Sequence, residues 1–93
     1  MKKKITCGDE YEAQKLSSLI YVKPDEDPFV TGILEVIENE VIIIAKDKSA
    51  HSILLKDKFE AESFADFIQS VIEKKHRITE AVILNDTVEI TKE

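Results

Sequence analysis

Three side chains in this sequence have the chemistry of a nucleophile or a base: Cys7, His51 and His76. Covalent catalysis needs a thiol beside a base, with a third group that orients the base. No local pattern brings these residues together, and Cys7 has the setting of a small, semi-buried cysteine at the end of a strand. Neither histidine has a second ligand at metal-binding spacing, such as His-x-x-x-His or Cys-x-x-Cys. We therefore predict no catalytic residue, no metal site and no cofactor.

Carboxylates are the other chemically distinctive group, and they are unevenly distributed. Residues 24–40 contain no Lys or Arg, so this stretch alone carries a charge equal to the net charge of the chain, −6. Its acidic residues are Asp25, Glu26, Asp27, Glu35, Glu38 and Glu40. The glycine and glutamate positions of a calcium-binding EF-hand loop are missing, so a solvated acidic surface is favoured over a Ca²⁺ site. We predict that these six residues contact another protein with a basic surface.

The overall composition limits the remaining classes of function. A net charge of −6 argues against direct nucleic acid binding, which needs clustered Lys and Arg. No apolar run reaches the roughly 18 residues that span a membrane. The basic start Lys2–Lys4 is followed by polar residues and not by the apolar core of a signal peptide. With one cysteine and 93 residues, the chain is expected to be a single cytoplasmic domain covering residues 1–93.

The N-terminal third is expected to hold one strand, one helix and one loop. Lys3–Cys7 could form a short opening strand. Asp9 as N-cap, with Glu12 at the capping-box position, predicts a helix over about 10–19. The alternative for its end is a strand over Leu19–Val22, because β-branched and aromatic residues cluster there. The segment Lys23–Pro28 indicates a loop, since each proline pushes the residue before it out of the α region.

The middle of the chain predicts an antiparallel meander over about 31–56. Alternating residues indicate a first strand from Thr31 to Ile37, and Ala50–Lys56 indicates a third. Val41–Ala45 is apolar on both faces, which is typical of a central strand covered on both sides. We expect tight turns between the strands.

The C-terminal part predicts one main amphipathic helix and a hairpin. Asp57 and Glu60 repeat the capping pattern ahead of a helix over about 58–75. Its apolar stripe includes Phe64 and Phe67 and is expected to face the core. A turn at Asn85–Asp86 predicts a hairpin over about 78–91. We found no internal repeat. The predicted class is α+β, with a small antiparallel sheet packed against the main helix.

Residues 32–72 resemble the C-terminal half of a pleckstrin-homology or GRAM-like domain. The similarity rests on Gly32-Ile33-Leu34-Glu35-Val36, the apolar strand Val41–Ala45, the closing Leu55-Lys56-Asp57 and the helix after it. The N-terminal part is short for the family's first four strands, and a hairpin follows the helix. The resemblance implies an adaptor module that binds a peptide or a lipid, and it assigns no site residue.

Three functions follow as expectations. The first is a small non-enzymatic acidic protein that acts through protein–protein contact, such as an inhibitor of a basic-surfaced partner of the phage anti-defence or immunity type. The second is the pleckstrin-homology-like adaptor. The third is a structural subunit that forms a homodimer or larger homo-oligomer through a sheet edge.

Overall fold

The structure is a computed structural model that describes residues 1–20 and 30–93, and it confirms the predicted α+β class. The elements of the described residues follow one another in this order: β1 (Lys2–Thr6), α1 (Glu10–Ile20), β2 (Val30–Ile37), β3 (Glu40–Ala45), β4 (Ala50–Leu54), α2 (Lys58–Glu73), β5 (Ile78–Leu84) and β6 (Thr87–Lys92). Neither helix in these ranges is long and apolar enough to cross a membrane.

The strands form two antiparallel sheets of three strands each. The predicted meander is one sheet, in the order β2-β3-β4, and the predicted C-terminal hairpin is β5–β6. The opening strand β1 adds to that hairpin and gives the second sheet, in the order β1-β6-β5. The chain ends therefore lie together, and the amino group of Met1 donates to the carbonyl oxygen of Lys92 at 3.0 Å.

Both helices begin at the predicted caps. A carboxylate oxygen of Asp9 accepts from the backbone N–H of Glu12, and Asp57 accepts in the same way from Glu60, each at 2.8 Å. These bonds satisfy backbone donors that a helix cannot satisfy internally. α1 continues through Ile20, so the alternative strand is wrong for Leu19 and Ile20. Residues 21 and 22 lie outside the described ranges, as does the predicted loop over 23–28.

The capping glutamates do not bond back to their own N-caps, as a full capping box would require. Each one reaches the strand that precedes the other helix. Glu12 of α1 accepts from the backbone N–H of Leu54 in β4 at 2.8 Å, and Glu60 of α2 accepts from the N–H of Thr6 in β1 at 3.2 Å. We call these two bonds the crossed glutamates. They connect the two helices to the corner where β1 and β4 meet.

That corner is built symmetrically. Cys7 and Leu55 form an antiparallel bridge, the N–H of Gly8 donates to the carbonyl of Leu54, and the N–H of Lys56 donates to the carbonyl of Thr6. The same relation extends over the whole described chain. β1-α1-β2-β3 and β4-α2-β5-β6 are two copies of one βαββ unit, related by an approximate two-fold axis. The sequence-based conclusion that there is no internal repeat is therefore wrong.

The repeat is visible in individual residues once the units are superposed by element and register. Identical residues occupy equivalent positions in eight pairs: Ile5/Ile53, Asp9/Asp57, Glu12/Glu60, Ala13/Ala61, Ile20/Ile68, Thr31/Thr79, Val41/Val88 and Ile43/Ile90. The two threonines even make the same bond. The hydroxyl of Thr31 donates to the carbonyl of Ile44 at 3.2 Å, and that of Thr79 donates to the carbonyl of Thr91 at 3.3 Å.

The units exchange elements, and this exchange builds the core. β4 of the second unit pairs with β3 of the first, and β1 of the first pairs with β6 of the second. Each helix also packs against the other unit's hairpin, α2 on β2 and α1 on β5. The predicted apolar stripe of α2 is buried, with Phe64 fully inaccessible and Phe67 nearly so. Val88 and Ile90 of β6 are equally buried. One core thus serves both units.

The central strand β3 differs from the prediction. Val41, Ile43 and Ala45 are buried, but Ile42 and Ile44 on the opposite face are only half-buried. Both helices lie on the core side, so in the described part of the chain no element is assigned to the other side of this sheet. An apolar run thus predicted coverage on two sides, whereas the described residues cover only one.

Candidate functional site

The acidic residues predicted to bind a partner divide into two groups. Asp25, Glu26 and Asp27 fall outside the described residues. The other three lie together at the end of the β2–β3 hairpin. Glu35 projects from β2, Glu38 begins the two-residue turn with a left-handed φ of 54°, and Glu40 opens β3. Glu40 also accepts a hydrogen bond from the Ser52 hydroxyl of β4, which fixes its carboxylate against the sheet.

These carboxylates alternate with apolar side chains on the side of the β2-β3-β4 sheet that faces away from the core. Strand register aligns Glu40 with Ile37 and Leu54, and the next outward row aligns Ile42 with Glu35 and Ser52. We call these six residues the outer face. Ile37 is 46% exposed and Leu54 is 42% exposed. Because directly opposite residues in antiparallel strands share a face, the acidic and apolar groups form one mixed surface.

Leu34 extends this surface at its edge. It is the extra residue of a β-bulge between Ile33 and Glu35, and the bulge leaves its side chain 61% exposed. Bulges redirect side chains and interrupt pairing at sheet edges. A large apolar side chain therefore stands at the free edge of β2, next to the carboxylate of Glu35.

Cys7 lacks the properties of a nucleophile. It is 1% exposed, and burial raises its pKa from the usual value near 9 to about 12. The carboxylates of Glu12, Asp86, Glu60 and Asp9 contribute to this same pKa shift, because they disfavour a second negative charge nearby. Since the thiolate is the reactive form, the Cys7 thiol remains protonated and inert at neutral pH.

The two histidines are not bonded to Cys7. Within the described residues, the Cys7 side chain has no hydrogen bond to His51 or His76. His51 instead contacts the Ser49 hydroxyl through Nε2 at 2.8 Å, and that hydroxyl also bonds a carboxylate oxygen of Asp47. Sequence reasoning missed this cluster, although the Asp-x-Ser-x-His spacing places all three side chains around one tight turn.

The Asp47–Ser49–His51 cluster has the residue types of a hydrolase triad but the wrong order. In a triad the histidine stands between the serine and the carboxylate. Here the serine is in the middle, and its single proton serves the carboxylate of Asp47. Bonds from the Ser49 hydroxyl and backbone N–H hold the pKa of Asp47 below its usual range. The arrangement stabilises the β3–β4 turn and does not prepare a nucleophile.

A cleft of about 500 Å³ lies between the two units. Its apolar lining includes two pairs of equivalent residues, Ile20/Ile68 and Val30/Ile78. Its basic lining comes from Lys46, Lys75, His76 and Arg77. The α2 terminus positions the last three of these, because Lys75 has a left-handed φ of 55° and the N–H groups of Lys75 and His76 close the helix end on Ile72 and Val71.

Metal binding has no geometric basis in residues 1–20 and 30–93. No group of three or more His, Cys, Asp and Glu side chains converges there in a way that could hold an ion.

No family model, curated protein or solved structure gives a significant match to this chain. The resemblance to pleckstrin-homology and GRAM-like domains therefore stays a prediction.

Proposed function

We propose that this domain is a non-enzymatic binding protein whose outer face docks on a protein with a basic, partly apolar surface. The observation that carries the proposal is the mixed composition of that face. Carboxylates of Glu35 and Glu40 alternate with the exposed side chains of Ile37 and Leu54 on one side of a sheet. An inhibitor that occludes a basic cleft on its target acts in this way.

The two kinds of side chain have separate roles in such contact. Exposed apolar residues supply most of the affinity, because binding removes their surface from water at about 25 cal/mol per Å². Carboxylates at the edge of the contact speed the encounter and select partners of opposite charge. Glu40 is held in place by Ser52, so it loses little conformational freedom on binding.

The chemistry of the remaining candidates supports a binding role. The Cys7 thiol is protonated, and the Ser49 hydroxyl donates its hydrogen bond to the carboxylate of Asp47. Neither group is oriented toward the outer face by any bond in the described residues. The features that distinguish this surface are charge and exposed apolar area, which are the properties of a contact site.

The test compares two triple variants of equal charge change. Glu35→Gln and Glu40→Gln neutralise the two carboxylates of the outer face, and Glu38→Gln neutralises the carboxylate in the adjoining turn. In the second variant, Glu62→Gln, Asp66→Asn and Glu73→Gln neutralise three exposed carboxylates of α2. Proteins captured by the wild-type chain are identified by mass spectrometry. The affinity of each captured protein is then measured by calorimetry at 50 and 500 mM NaCl.

We expect the first triple variant to weaken binding by about tenfold at low salt, because exposed ion pairs each contribute about 0.2–1 kcal/mol. The α2 variant should bind within about twofold of wild type. Salt should weaken the wild type more than the outer-face variant, since screening acts on the charges that remain. Equal losses for the two variants, or affinity independent of salt, would refute the proposal.

A further inference from the structure

The two units of the repeat leave two equivalent sheet edges, and the edges have diverged. β2 ends one sheet and β5 ends the other, so each has one side without a partner strand in the described residues. Strand register makes Glu35, Val36 and Ile37 of β2 equivalent to Val82, Ile83 and Leu84 of β5. Comparing these strands shows which edge is protected against pairing and which is not.

The β2 edge carries two protective features. The bulge at Leu34 breaks the regular ladder, and Glu35 places a charge directly after it. Bulges and charged residues are the usual means by which natural proteins prevent edge-to-edge pairing. Another strand could therefore extend this sheet only by burying a carboxylate beside an irregular backbone.

The β5 edge lacks both features over its second half. The bulge of β5 lies at its start, between Ile78 and Glu80, and the ladder is regular from Ala81 onward. Val82 stands where β2 has the carboxylate of Glu35. The exposed fractions are 47% for Val82, 40% for Ile83 and 72% for Leu84. Three large apolar residues thus lie in succession on the uncharged, regular second half of β5, which has one side unpaired within the described residues.

We propose that β5 is a self-association edge and pairs with β5 of a second copy of this chain. A two-fold axis normal to the sheet, passing beside Ile83, aligns the two strands antiparallel. Ile83 then faces Ile83 of the second copy on one side of the sheet, and Val82 faces Leu84 of the second copy on the other. The β1-β6-β5 sheets of the two copies then form one sheet of six strands. Pairing of like residues leaves Glu80 at the margin of the contact.

A second copy fits this edge better than an unrelated strand does. Apolar side chains meet apolar side chains across the axis, and the backbone groups of both free edges are satisfied together. The contact is smaller than a standard protein interface, so the dimer is weak. We expect association in the range of about 0.01–1 mM, as the affinity of a small interface implies.

Sedimentation velocity over that concentration range provides the first measurement. The wild type should shift from monomer toward dimer as concentration rises. Leu84→Lys should remain monomeric, because it places two like charges beside the paired edge. Ile37→Lys makes the same change at the equivalent position of β2 and should associate like the wild type. Leu84 and Ile37 are both exposed, and circular dichroism confirms that each variant is folded.

Disulfide trapping provides a second measurement that specifies the strand. Ile83→Cys places a thiol at the proposed axis, where opposite Cα atoms lie about 4.5–5.5 Å apart, within disulfide range. Val36→Cys is the matched control, equivalent in register and 37% exposed against 40%. The native Cys7 is buried and does not react.

Under mild oxidation Ile83→Cys should give covalent dimer at least tenfold faster than Val36→Cys. A wild type that stays monomeric throughout, or equal rates for the two cysteine variants, would overturn the proposal. Neither result depends on the outer face.

Discussion

Removing the carboxylate of Glu12 should destabilise the fold far more than removing a nearby exposed one. Glu12 is 5% exposed, accepts from the N–H of Leu54 at 2.8 Å and pairs with the Lys15 ammonium at 2.9 Å. A hydrogen bond to a charged group contributes about 1.5–3 kcal/mol. Negative charge in the first helical turn adds about 0.3–1 kcal/mol. We therefore expect Glu12→Ala to lower the free energy of unfolding by about 2–4 kcal/mol, the sum of these two effects.

Urea denaturation followed by circular dichroism measures this change. With a slope of about 1–1.5 kcal/mol per molar for a domain of this size, the midpoint should fall by roughly 2 M at an unchanged slope. Glu10→Ala is the control, because Glu10 lies in the same helical turn, is exposed and has no bond to another element. It should cost only the helix-dipole contribution, about 0.3–1 kcal/mol. Glu60→Ala should fall between the two, since its bond to Thr6 is longer, at 3.2 Å.

A difference of less than about 0.5 kcal/mol between Glu12→Ala and Glu10→Ala, the usual range for surface substitutions, would contradict the role assigned to the Glu12 carboxylate. Such a result would mean that water replaces the Glu12 carboxylate at the N–H of Leu54 without cost. Glu12→Gln refines the test, because it keeps an oxygen for Leu54 but loses the charge that pairs with Lys15.

Two further predictions concern Cys7 and Lys75. The folded Cys7 thiol keeps its proton up to a pKa of about 12, whereas the unfolded thiol loses it near 9, so its contribution to stability is complete below pH 9 and is lost as pH rises from 9 to 12. Cys7→Ala should therefore flatten this part of the curve of unfolding free energy against pH. Iodoacetamide at pH 8 should label the wild-type thiol only as fast as the protein unfolds. Lys75→Gly should raise the free energy of unfolding by about 1 kcal/mol, because a left-handed φ of 55° suits glycine and strains other residues. Lys74→Gly, at a φ of −90°, should give no such gain in thermal denaturation, and equal effects of the two glycine substitutions would contradict the role assigned to the backbone.

Local signals in the sequence were sufficient to predict the helices and hairpins. Asp9 and Asp57 are good caps with a glutamate three residues later, and the apolar spacing of α2 has a clear helical period. Tight turns such as Asn85–Asp86 define the hairpins in the same way. These features depend on neighbours in sequence, and the structure confirms them.

The repeat and the pairing of β1 with β6 were not predictable from such signals. The pairs Asp9/Asp57 and Glu12/Glu60 were each recognised as caps, but as caps of unrelated helices. The repeat is hard to recognise in the sequence because many equivalent positions carry side chains of different size or charge, such as Leu16/Phe64 and Glu35/Val82. A direct comparison of the Asp-x-Tyr-Glu-Ala and Asp-x-Phe-Glu-Ala segments would have revealed it.

The candidate site was predictable only in part. Acidic composition identified Glu35, Glu38 and Glu40, but it did not reveal that Ile37 and Leu54 share their surface. That requires the strand register and the knowledge that both helices lie on the other side of the sheet. The exposed apolar residues of β5 were likewise not identified from the sequence, because their exposure depends on the position of the strand at a sheet edge.

The exchange of first strands between the units also bears on the ancestry of the domain. In a single βαββ unit, the first strand pairs with the hairpin of the other unit and the helix packs on that same hairpin. One unit alone therefore has no complete sheet and no core. Two identical units related by a two-fold axis would supply each other with the missing strand. Duplication and fusion of the gene for such a homodimer would yield the present chain. A break in the turn between β3 and β4 would then return it to two fragments that fold only by recombining.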